Sequence, residues 1–341
     1  MRRDIQTLFL TLALGAAGAA LAAILAMPAP YLTGPAALVA LVSVMGLKTH
    51  IPNLLRDLCF LVIGIGMGTG INPEMLAAAA AWPLSLMALS VALVAIFLGG
   101  AAALERFFLF DRLTARLAAS PGHLSFVLSL SADTRADIGV VAVVQSLRVL
   151  ALTLLVPVAV ALLSGADLAM GSRGGAVMAW PALAVVAGIS AALGWRLKCL
   201  RIPAAYLLGG FVISALGHGT DLAPGLVPNW LALPSFAIMG TLIGTRFSGT
   251  SWAMILRSMG AASLLAGLAL AATLAAALAV HWALGLPLTT LLIAYAPGGL
   301  ETMAAISVML EADPAFVAFH HTFRVVLLTF LVPACLPRAR A

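Results

Sequence analysis

Pro121-Gly122-His123-Leu124, followed by Asp137, Arg148 and Pro157, returns later in the chain as Pro297-Gly298-Gly299-Leu300, followed by Asp313, Arg324 and Pro333. Adding 176 to 121, 137, 148 and 157 gives 297, 313, 324 and 333, so the register holds without a gap. Two further echoes extend the unit. Gly64 and Gly68-Thr69 match Gly240 and Gly244-Thr245 at the same offset of 176, and Pro28-Ala29-Pro30-Tyr31-Leu32 matches Pro203-Ala204-Ala205-Tyr206-Leu207 at 175. The chain is therefore a duplication that begins near its N-terminus, and each copy carries an arginine inside an apolar run.

Composition says what solvent surrounds it. Of 341 residues, 63% are hydrophobic and 9% are charged, and the mean hydropathy is +1.14. A water-facing domain carries about 25% charged residues, so lipid is the expected solvent. Apolar runs of the roughly 17–25 residues needed to cross a bilayer recur along the chain. Trp82, Trp180, Trp195, Trp230, Trp252 and Trp282 fall near run ends, as interfacial tryptophans do. The net charge of +6 would suit nucleic acid, but the basic residues sit in short loops between apolar runs, where the positive-inside rule puts them. Cys59, Cys199 and Cys335 have neither disulfide-framework nor zinc-site spacing. The N-terminal run up to Met27 is read as a retained first helix rather than a signal peptide.

Loop charges set the expected topology. Arg2 and Arg3, Lys48 and Arg56, then Arg106, Arg112 and Arg116 mark cytoplasmic loops, whereas the turns at 27–30 and 72–76 hold no Lys or Arg. If the Pro-Gly stretch at about 112–131 is a re-entrant hairpin, Arg196, Lys198, Arg201, Arg246, Arg257, Arg338 and Arg340 also fall inside. If it crosses the membrane, the cluster at 196–201 lands outside, against the rule. The expectation is an all-α polytopic membrane protein of two inverted repeats, each with about five transmembrane helices and one re-entrant hairpin. The repeats span 1–164 and 177–341, joined by a linker at 165–176, with both termini cytoplasmic in a bacterial inner membrane. Inverted repeats with broken helices meeting at mid-membrane are the architecture of secondary transporters.

A Pro-Gly break frees backbone groups that lipid cannot satisfy, so it persists only where protein or a wet cavity covers it. Pro121, Gly122 and His123 form one tip, and Pro297, Gly298 and Gly299 the other. Each tip opens a half-helix whose free amides suit an anion. Arg148 and Arg324 either attract a solute carboxylate from mid-membrane or tie off the carbonyls of the broken helices. Gln145 stands three residues before Arg148, and His320 and His321 four and three before Arg324, on the same helical face by spacing. Ser125 and Glu301 follow the two tips at matching positions, and Thr302 adds a hydroxyl. Glu301 and His320 are the candidates for proton coupling. Asp137 and Asp313 read as helix N-caps. The Gly64–Gly70 glycine run follows no strand, so it reads as helix packing and not as a nucleotide loop. No histidine or carboxylate spacing indicates a metal.

The stretches Gln145-Ser-Leu-Arg148-Val-Leu150 with Leu155-Val-Pro157, and Ala296-Pro-Gly-Gly-Leu-Glu301 with His320-His-Thr-Phe-Arg324 and Leu331-Val-Pro333, resemble the AbrB family of duplicated bacterial membrane proteins. This family is distinct from the soluble DNA-binding regulator that shares the name. The resemblance covers most of the chain; His123, in place of a second glycine, departs from the motif. It implies a polytopic fold, and labels of aidB regulator or ammonia monooxygenase that define no agreed site. The function expected from the residues is transport of a small, anionic solute, with H+ or Na+ as a coupling ion, no cofactor and no nucleic acid. A ligand sensor controlling gene expression is the alternative, and a metal-dependent oxygenase a distant third. A homodimer is left open.

Overall fold

A computed structural model describes residues 2–69, 82–121, 124–132, 134–164, 176–200, 202, 204–220 and 222–336. Gly122 and His123 of the first tip, the linker 165–175, the turn 72–76, and Arg201, Arg338 and Arg340 lie outside these residues, as do the side chains of Ser125 and Ser129. The described chain is helical, and six of its helices are long and apolar enough to cross a membrane. It is a polytopic membrane protein.

The first half contains α1 (Arg2–Ile24), α2 (Pro30–Val44), α3 (Asn53–Gly68), α4 (Trp82–Phe107), α5 (Arg112–Ala119), α6 (Leu124–Ala132) and α7 (Ile138–Ser164). The second contains α8 (Trp180–Cys199), α9 (Ala205–Gly219), α10 (Asn229–Thr245), α11 (Trp252–Leu284), α12 (Leu288–Tyr295), α13 (Leu300–Met309) and α14 (Pro314–Cys335). The six long apolar helices are α1, α4, α7, α8, α11 and α14; α2, α3, α9 and α10 run 15–17 residues each. The sequence repeat is also a repeat of structure: shifting α5 by 176 residues gives the bounds of α12, and shifting α2 by 175 gives those of α9.

Helix ends recur with the repeat. Asp137 accepts the Val140 amide at 3.0 Å and Asp313 the Phe316 amide at 2.9 Å, so both aspartates cap as expected. Their own amides donate to Thr114 and Thr290, again equivalent residues, at 3.0 and 3.3 Å. Ala29 and Ala204 precede α2 and α9 with φ of 51° and 52°, left-handed values that cost an L-residue about 1 kcal/mol or more.

Packing pairs elements across the duplication. α2 lies along α10 and α9 along α3, while the equivalent helices α3 and α10 touch each other, as do α4 and α11. One sub-bundle is built from α1–α3 with α8–α10, and the other from α4–α7 with α11–α14. Glycines allow the closest approaches. A Cβ on Gly64 would run into the Leu207 carbonyl, and one on Gly240 into that of Leu32. The repeated glycines are thus helix-contact residues, as their spacing predicts.

Candidate functional site

The two hairpins are held by one scheme of contacts. In the second, α12 ends at Tyr295, the chain turns through Ala296–Gly299, and α13 starts at Leu300. Arg324 of α14, 2% exposed, donates to the carbonyls of Ala296 at 3.0 Å and Gly298 at 2.5 Å. One turn earlier, His321 Nε2 donates to the Ile293 carbonyl at 3.0 Å. In the first, Arg148 of α7 donates to the Ser120 carbonyl at 2.9 Å and Gln145 to the Leu117 carbonyl at 2.8 Å. The Arg148–Ser120 and Gln145–Leu117 contacts map onto Arg324–Ala296 and His321–Ile293 by adding 176 to both partners. Breaking a helix at depth strands its last carbonyls, and a charged donor offsets that at roughly 1.5–3 kcal/mol per bond. The geometry therefore gives the arginines the tie-off role.

These side chains are not saturated. Arg148 keeps Nε and Nη2 without partners, Arg324 keeps Nε, and both guanidinium groups are buried. The two arginines also lie within electrostatic range of one another. Pro121 and Pro297, at the two breaks, are both buried.

His320 separates from its neighbours. Its Nδ1 donates to the Phe316 carbonyl at 2.8 Å, leaving Nε2 to accept from the Ser85 hydroxyl at 2.9 Å. Tyr295 Oη donates to the Ser85 carbonyl at 2.9 Å and lies 2.7 Å from its Oγ. The shared face expected for His320, His321 and Arg324 thus holds for the last two only, because His320 turns toward α4. The equivalents of Ser85, Tyr295 and His320 are Ala261, Ala119 and Val144, so this network exists in one repeat.

The first turn of α13 faces open space through Glu301. Glu301, in the first turn of α13, lines a vestibule of about 470 Å³ with Arg56, Asp57, Phe60, Lys198, Met239, Leu242, Thr245 and Arg246. Asp57 is bridged by Arg56 at 2.8 Å and by Lys198 at 2.7 Å, which joins α3 to the end of α8. A second, apolar pocket of about 110 Å³ lies at the far ends of the same helices, beside Val308, Met309 and Glu311. It is lined by Ile63, Gly66 and Thr69 of α3 and by Ala232, Leu233 and Phe236 with α10. Moving these six by 176 gives Met239, Leu242, Thr245, Arg56, Asp57 and Phe60 of the charged vestibule. These α3 and α10 surfaces are equivalent parts of the two repeats, whereas α13 of the second repeat lines both pockets. They sit at opposite ends because α3 and α10 run antiparallel, the start of each beside the end of the other.

Of the residues singled out in the sequence, Glu301 lines the vestibule, while His321 and Arg324 hold the backbone of the break behind it. Sequence reasoning missed Arg246 and Asp57, which it counted only as loop charge or passed over. The available signal was their departure from the repeat: Asp57 stands opposite Leu233 and Arg246 opposite Gly70. Among the described residues no group of three or more His, Cys, Asp or Glu side chains converges as a metal site would.

A family model described as Transition state regulatory protein AbrB matches residues 2–73 and 32–339. The chain belongs to the AbrB family. A Bacillus subtilis (strain 168) relative named "Uncharacterized protein YhjN" is 28% identical over 294 residues, covering 80% of this chain and 75% of that one. An Escherichia coli (strain K12) relative named "Putative regulator AbrB" is 36% identical over 109 residues, 32% of this chain and 31% of that one. No solved structure matches this AbrB-family chain.

Proposed function

We propose that this AbrB-family protein is a secondary transporter, not an enzyme, that carries a small carboxylate-bearing solute across the bacterial inner membrane. The observation that carries the reading is that equivalent surfaces of the antiparallel α3 and α10 line pockets at opposite ends of these helices. Two inverted repeats generate such a pair, one opening to each side, and exchanging the conformations of the repeats exchanges which pocket is open. The hairpins are read as re-entrant, with the second entering from outside and its tip meeting the charged vestibule. Arg56, Lys198 and Arg246 line that vestibule, and the positive-inside rule places it, with both termini, on the cytoplasmic side. The vestibule, larger than the apolar pocket, makes this an inward-facing arrangement. Glu301, at its inner end, is placed to take up a coupling proton or cation.

The test is uptake by proteoliposomes containing only this protein, screened with labelled small organic acids. Flux is expected, and Leu242→Trp, which plugs the vestibule, should abolish it while the protein still elutes as a folded species. Saturable binding without flux under any gradient would instead favour a ligand sensor, the reading that the names of the family model and the Escherichia coli relative favour.

A further inference from the structure

Two charges in the vestibule have no direct partner among the described residues. Arg56, Asp57 and Lys198 are engaged with one another through contacts of 2.8 and 2.7 Å. Arg246 and Glu301 line the same space and lie within electrostatic range of each other, yet no ion pair joins them. Opposite charges in a sheltered cavity gain by pairing, and their separation leaves room for something between them. A simple anion on Arg246 would face the Glu301 carboxylate at close quarters. A simple cation on Glu301 would face the guanidinium. A molecule with one charge of each sign satisfies both.

The surroundings of Glu301 fit the same ligand. Thr302 beside it is buried behind the vestibule wall, and its hydroxyl has no hydrogen-bond partner among the described residues. A Cβ added to Gly299 would come 3.2 Å from Thr302 Oγ1 and 3.4 Å from Glu301 Oε2, so glycine keeps a notch open beside both acceptors. In the other repeat the equivalents of Arg246, Glu301 and Thr302 are Gly70, Ser125 and Phe126, so the charged pair occurs once per chain.

We propose that the vestibule binds a small zwitterion, an amino acid in the chemical sense, with its carboxylate on Arg246 and its ammonium on Glu301. The inference rests on the transport reading, in that it takes the vestibule as the solute path, and it narrows the solute class.

Calorimetric titration of the purified full chain separates the possibilities. The probes are glycine, β-alanine, 4-aminobutyrate and 6-aminohexanoate, each beside the carboxylate of equal length: acetate, propionate, butyrate and hexanoate. At least one amino acid is expected to bind about tenfold more tightly than its matched carboxylate, the value of one charge-assisted contact. Glu301→Gln should erase that preference and leave the carboxylate bound as well or better. Arg246→Gln should weaken both members of the pair, and Glu301→Asp should keep the preference. A wild-type protein with no preference for any amino acid overturns the proposal. So does a Glu301→Gln variant that tightens both ligands equally, though that result leaves an anion transporter standing. If neither variant alters the affinity of any bound probe, the vestibule is not the solute site and both readings fall.

Discussion

Arg324 and Arg148 occupy equivalent positions but do unequal work. Arg324 spans two stranded carbonyls, those of Ala296 and Gly298, whereas Arg148 holds the Ser120 carbonyl and, among the described residues, has two nitrogens without partners. The cost of keeping an arginine at depth is common to both, so it cancels when the two are compared. Arg324→Met should therefore destabilise the detergent-solubilised protein more than Arg148→Met, by roughly 1.5–3 kcal/mol, one charge-assisted bond. Thermal unfolding of the two variants side by side measures this; equal losses would mean that the second carbonyl is not held by the guanidinium. Both arginines were legible in the sequence because an arginine inside an apolar run is costly and these recur at one spacing. Arg246 was not, since a basic residue at a helix end is what membrane topology supplies in any case. Ser85 was equally silent: a single serine in an apolar helix has no signature until Tyr295 and His320 fold against it.

At the scale of elements, glycine decides how closely α3 meets α9 and α2 meets α10. Gly64 and Gly240 each face a carbonyl, of Leu207 and Leu32, and backbone cannot move aside as a flexible side chain would. Gly64→Ala and Gly240→Ala should each cost about 1–3 kcal/mol through overpacking. Gly188→Ala is the internal control. Nothing lies within 4 Å of its added Cβ, so in α8 it should be neutral or stabilising by up to about 1 kcal/mol. Unfolding midpoints of the three variants decide the matter, and a Gly240→Ala protein as stable as Gly188→Ala would contradict the close contact. The helices themselves could be read from apolar runs and the aspartate caps from their positions. Their partners could not, because α2 packs on α10 at a distance in sequence that no local pattern reports.

For the whole molecule, the relation between the repeats carries the functional argument. Thr69 and Thr245 are the same residue of the repeat, 176 apart, yet they line pockets at opposite ends. With Cys59, Cys199 and Cys335 replaced, Thr69→Cys should react with an impermeant maleimide from the periplasm and Thr245→Cys from the cytoplasm. Labelling of both from one side would sink the inverted arrangement. Duplication was legible because register survives in the spelling of the chain. The vestibule was not, because it arises where two copies of one helix lie against each other in reverse.

The hydrogen-bonded group of Ser85, Tyr295 and His320 has no counterpart at Ala261, Ala119 and Val144. Two identical hairpins would leave a two-faced molecule divided evenly between its faces, like a balance with equal pans. Here one pan is pinned. Each bond of net worth about 1 kcal/mol that one state keeps and the other breaks tilts the populations about fivefold. On the transport reading, a molecule built from two copies would thus acquire a resting side from three residues present in one repeat only.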